Sequence, residues 1–170
     1  LEQLEWATYR ESGAPAELYF QALMDTGAYQ EVLDRSQQGF SEAGDDSVAF
    51  LVYRAEAFAA LGAEEDAEST LAHAIRVVEP AQSPLLERYL MQGQQWEMLV
   101  ELYAQLYAEA PDNADLVLRY LAALYYTGKQ DRLGDLVESI DLELFESDTG
   151  PLAFLLYLKV VMGGFDPALH

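Results

Sequence analysis

The sequence predicts an all-α protein, an α-solenoid of about four to five antiparallel helix pairs. Three observations carry this. Glycines fall at Gly27, Gly62, Gly93, Gly128 and Gly163, at spacings of 35, 31, 35 and 35. A near-constant period in this range marks an array of helical repeats. Apolar columns keep step with the glycines: Phe20, Ala55, Leu86, Leu121 and Leu156 seven before, and Val32, Ala67, Met98, Leu133 and Ala168 five after. Pro80 and Pro111 each stand eighteen after a glycine, where a residue without an N–H ends a helix.

Taken in order, Leu1 to Ser12 reads as a helix with Trp6 and Tyr9 on one face. Gly13 to about Phe40 is the first full pair, turning at Gly27-Ala28-Tyr29. The loop 41–47 is polar and acidic, with Ser47 as an N-cap. Val48 to Pro80 is the central pair, turning at Leu61-Gly62, with Ala55, Phe58, Ala67, Leu71 and Ala74 where the helices touch. Pro84 opens a shortened helix, Leu85 to Gln92, partnered by Trp96 to Glu109. One extra residue sits around Trp96. Asp115 to Thr127 and Asp131 to about Ile140 form the next pair. Asp141 to Gly150 reads as an irregular acidic connection, and Leu152 to Met162 begins a fifth pair.

Composition excludes several function classes. There are 30 Asp and Glu against 9 Lys and Arg, a formal charge of −21. Phosphate neutralisation needs clustered cations, so no nucleic acid is expected. The same charge disfavours anionic membranes. There is no cysteine, which removes disulfides and thiolate metal sites. The 152–162 helix has Lys159 as its only charge. It is about 16 Å long against a ~30 Å bilayer core, so no membrane insertion is expected. No charged n-region precedes an apolar run, which points to the cytoplasm. The start at Leu1 rather than Met reads as a segment of a longer chain, with residues 1–170 as one repeat domain.

No catalytic constellation converges. His73 is the only internal histidine and reads as structural. Asp141, Glu143, Glu146 and Asp148 lack the spacing and turn glycine of a calcium loop, so no metal and no cofactor is expected. Tyr103 and Tyr107, four apart on one helix, read as core packing. Tyr125 and Tyr126 are adjacent, so they cannot both face the same way, and one should be available to the groove or to solvent.

Ala55, Phe58, Gly62, Ala67, Leu71, Ala74 and Pro80, with the turn string Gly27 to Leu33 and the junction Glu109 to Asn113, resemble the tetratricopeptide repeat. Ser36 and Gly39 depart from that pattern, as does the short third helix pair. The resemblance implies a right-handed superhelix whose first helices line a concave groove for peptides or partner helices. Carried over position by position, the groove would include Gln21, Met24, Asp25, Val52, Glu56, Glu87, Met91, Leu118, Arg119, Ala122, Tyr125 and Tyr126. The chaperone-clamp variant of the family is not implied, since only Arg119 fits its cationic pattern. The expected function is a non-enzymatic protein-interaction scaffold for a basic or amphipathic peptide. The alternative is a structural segment of a longer repeat protein acting through its end helices. In that case a homodimer would form through Phe154, Leu158, Val161 and Met162.

Overall fold

The computed structural model describes residues 16–43, 48–145 and 149–162. Every regular element among them is helical: α1 (Ala16–Thr26), α2 (Tyr29–Ala43), α3 (Val48–Ala60), α4 (Glu64–Val77), α5 (Ser83–Gln92), α6 (Trp96–Glu109), α7 (Ala114–Tyr126), α8 (Gln130–Ser139), a 3-10 helix (Leu142–Phe145) and α9 (Thr149–Met162). The expected helix at Leu1–Ser12, the Ser47 cap and the turn after Gly163 lie outside the described residues. The chain divides into two compact units, Leu1–Gln92 and Gly93–His170. α5 and α6, expected as one pair, are assigned one to each.

Three turns are built alike. Gly27, Gly62 and Gly128 hold φ of +74°, +77° and +67°. Only glycine adopts that region without a Cβ penalty. At each, the glycine N–H donates to the carbonyl three residues back (Met24, Ala59, Tyr125). The next N–H donates to the carbonyl five back (Leu23, Phe58, Leu124). This is the Schellman arrangement, which satisfies carbonyls a helix end leaves open. Each second helix then begins two residues after the glycine.

The third turn departs. Gly93 is not left-handed; Gln94 is, at φ +53°, and α6 begins two residues after it. The extra residue is therefore in the turn itself. Counted five on from the left-handed position, Val32, Ala67, Leu99 and Leu133 are all buried. Leu99 thus replaces the expected Met98, which is only half-buried.

In the first unit α3 is central. It packs on α2 and α4, and α1 and α5 lie along its flanks. Phe20 is fully buried with Tyr19, Val32, Leu33 and Ala57. Its ring meets Phe50 edge-on at 5.2 Å and stacks on Tyr53 at 5.7 Å. Ser36, the departure on α2, is fully buried and donates to the Leu33 carbonyl at 3.0 Å. Arg54 reaches in from α3. It donates to that same carbonyl at 3.3 Å and to Ser36 Oγ at 3.4 Å, and covers the Phe58 ring at 5.2 Å. A small side chain on α2 is what admits the guanidinium.

In the second unit α7 packs between α6 and α8, and α9 lies on α8 and the 3-10 helix. Arg132 of α8 donates to Tyr120 Oη on α7 at 2.8 Å and to Glu101 on α6 at 3.2 Å, linking three helices. Tyr103 is buried, and Tyr107 packs on Tyr120 at 5.9 Å, as core tyrosines should. The acidic connection is not wholly solvated, because Phe145 is 2% exposed and anchors it. In α9 the apolar column slips. Leu155 and Leu158 are buried, while Leu156, the expected column residue, is 46% exposed.

Candidate functional site

The predicted groove residues fall on the first helices of the pairs, and each unit presents its own set. In the first unit Asp25 is on α1, Glu56 on α3 and Tyr89 on α5. They interact in that order across three neighbouring helices. The Glu56 carboxyl is half-buried and held above the usual carboxylate range, chiefly by burial and then by the charge of Asp25. The Tyr89 phenol is pushed up by burial first and then by Glu56. Loss of water penalises the charged form, and a nearby like charge adds to that penalty. The result is a row of acidic groups with Glu56 in its middle, in which the Tyr89 phenol stays neutral.

The remaining predicted positions of this unit are mixed. Gln21 donates to Asp25 Oδ1 at 2.9 Å, one turn along α1. Met24 is half-buried against the Phe20 cluster. Glu87 is half-buried and Met91 is 48% exposed. Val52 must be withdrawn. At 4% exposure it belongs to the core, because an all-apolar stretch such as Val48 to Val52 gives little sign of which face turns inward.

In the second unit Leu118 and Ala122 are half-buried on α7. Arg119 pairs with Asp115 one turn back at 2.9 Å. Tyr125 and Tyr126 are both largely open, at 59% and 66% exposure, where only one was expected to be. Trp96 on α6 explains this: Tyr126 stacks on it at 4.8 Å and 27°, and Tyr125 stands across Tyr126 at 6.0 Å and 75°. Lys129 is ion-paired with Glu97 beside them.

Of the self-association residues, Phe154 is 43% exposed. Leu158 is a correction, since it is buried within the chain at 4% exposure and lines no open face. The side chains of Val161 and Met162 lie outside the described residues. Leu156 and Tyr157, at 46% and 62%, carry the exposed apolar surface of α9 instead.

Sequence reasoning did not single out Tyr89 or Trp96. Tyr89 lies four before Gly93, where an aromatic residue on a helix reads as packing. Trp96 was hidden by the turn's extra residue. Among the described residues no three His, Asp or Glu side chains gather as metal ligands. No described helix is long and apolar enough to cross a membrane. No protein-family model matches the chain, and neither does any curated protein or solved structure.

Proposed function

We propose that this chain is a non-enzymatic interaction module of tetratricopeptide-like, right-handed solenoid design, and that its first helices bind a basic or amphipathic peptide of a partner protein. The observation that carries this is the row Asp25, Glu56 and Tyr89 on α1, α3 and α5. A half-buried carboxyl raised by burial and by the charge of a second carboxyl is poorly compensated. A cation from a partner compensates it, and apolar neighbours such as Met24 and Met91 supply anchors. The cation favours ionised Glu56, so affinity should rise as pH climbs through the raised value of that carboxyl. Exposed parts of such an interaction weaken with salt. The test is titration with an amphipathic lysine-containing helical peptide. Glu56→Gln should weaken binding and flatten its pH dependence over the acid range. Affinity indifferent to Glu56→Gln, Asp25→Asn and salt would remove the proposal.

A second reading, assembly through the end helix, has one observation in its favour. α9 bears Phe154, Leu156 and Tyr157 in the open with Lys159 as its only charge. Light scattering decides between a monomer and a dimer. In the second case Tyr157→Glu should return the mass to that of one chain.

A further inference from the structure

The aromatic surface of the second unit is a different kind of feature from the carboxylate row. Tyr126 gives one face to Trp96, at 4.8 Å and 27°. That stacking fixes its orientation although the ring is 66% exposed. Tyr125 meets it at 75° with centroids 6.0 Å apart. Two open rings near a right angle form a two-walled corner, and one wall is held from behind. Tyr103, by contrast, is a core ring at 3% exposure, while Tyr125 and Tyr126 stay largely open.

Charge selects what the corner would take. Gly93–His170 holds thirteen Asp and Glu against four Lys and Arg, a formal −9. All four cations are already engaged: Arg119 with Asp115, Lys129 with Glu97, Arg132 with Glu101, and Lys159 with the Ile140 carbonyl. Among the described residues the cation–ring contact of this unit is Arg132 on Tyr120. Ring faces are electron-rich and attract cations. A guanidinium is planar and more weakly hydrated than an ammonium, so it stacks on a ring at lower desolvation cost.

We infer that Tyr125 and Tyr126, braced by Trp96, form an aromatic corner that receives an arginine side chain of a basic partner peptide. It rests on the proposed binding of a cationic partner and narrows that reading to a residue type and a place. Coulomb attraction to carboxylates alone treats arginine and lysine nearly alike; the corner does not.

The test uses the intact chain and three labelled peptides alternating glycine with arginine, lysine or citrulline, followed by fluorescence anisotropy at about 0.15 M salt. The arginine peptide should bind at least about threefold tighter than the lysine one, and the neutral citrulline peptide more weakly than both. Tyr125→Leu and Tyr126→Leu should each weaken the arginine peptide by roughly three- to tenfold and abolish its advantage. Tyr125→Phe, which keeps the ring, should retain it. Circular dichroism confirms that the leucine variants fold. Equal binding of arginine and lysine peptides, or an arginine preference that survives Tyr126→Leu and Tyr125→Leu, overturns the corner. If these variants bind normally while Asp25→Asn with Glu56→Gln weakens binding, the corner fails and the carboxylate row stands. The opposite pattern upholds the corner and removes the row. Absence of binding to all three peptides overturns the corner, while the carboxylate row is judged on the amphipathic lysine-containing peptide.

Discussion

Gln94 and Gly62 offer a matched test of how the turns are built. Gln94 has a side chain at φ +53°, whereas Gly62 has none at φ +77°. The left-handed region costs a residue with a Cβ roughly 1–2 kcal/mol. Gln94→Gly removes that strain but frees the unfolded chain, which takes back about 0.4–1 kcal/mol. The net expectation is stabilisation by about 0.5–1 kcal/mol. Gly62→Ala runs the other way. A Cβ at Gly62 meets nothing within 4 Å, so there is no clash and only the backbone term acts. It should destabilise by about 0.5–1.5 kcal/mol. Gly93→Ala is the control. Its backbone is outside the left-handed region, and its Cβ would touch the flexible Gln95 side chain at 3.4 Å, so it should change stability by less than about 0.5 kcal/mol. Urea denaturation followed at the helical circular-dichroism band gives all three. In a chain of this length each kcal/mol also moves Tm by about 2–4 °C. If Gln94→Gly destabilises while Gly93→Ala costs over about 1 kcal/mol, Gly93 holds the left-handed position after all, and the one-residue shift of α6 is wrong.

Asn113 caps α7 by accepting from the Leu116 N–H at 3.2 Å, and Asn113→Ala should cost about 1 kcal/mol in the same denaturation assay. Ala67 is 6% exposed at the contact of α3 and α4, so Ala67→Leu should overpack it and lower stability by roughly 1–3 kcal/mol, whereas an unchanged midpoint would deny that contact. Glu56 has its pKa raised by folding, so the folded state holds that proton more tightly than the unfolded one. Its contribution is greatest below the unfolded value and is lost as pH rises through the folded value. Glu56→Gln should therefore stabilise the chain above that window and remove this part of the pH dependence, as pH-resolved denaturation midpoints would show. Gln95 Oε1 is buried without a hydrogen-bond partner, and Gln95→Met should leave stability equal or higher, because it removes an unsatisfied acceptor while keeping the volume.

The helix pairs were legible because two signals coincided at most turns. At Gly27, Gly62 and Gly128 the sequence has the one residue suited to positive φ, and Phe20, Ala55 and Leu121 stand seven residues before them and are fully buried. Legibility failed where one signal went missing. α9 is apolar on nearly every side, so its sequence marks no inward face, and Leu155 rather than Leu156 turned out to be buried. Val52 failed for the same reason. Ser36 looked like a weak helix residue, and no local pattern shows that Arg54, eighteen residues on, needs the space.

The turn after α5 shows how a small error of register displaces a whole helix. A residue advances about 100° around an α-helix. If α6 is counted from Gly93, each of its side chains is rotated by that amount. Met98 then falls in the core, and Trp96 becomes the third residue after the turn position. Counted from Gln94, Leu99 enters the core and Trp96 becomes the first residue of its helix. That is the position held by Tyr29, Glu64 and Gln130 in the other pairs. Only in this register does the indole lie beside the end of α7, where Tyr126 stacks on it. A local insertion of one residue thus sets the core of the second unit and the orientation of its exposed tyrosines together. Shortening the turn by deleting Gln94 should impair both, moving stability and the Trp96–Tyr126 contact in parallel. A stable deletion variant with the tryptophan emission unaltered would show that the two are independent.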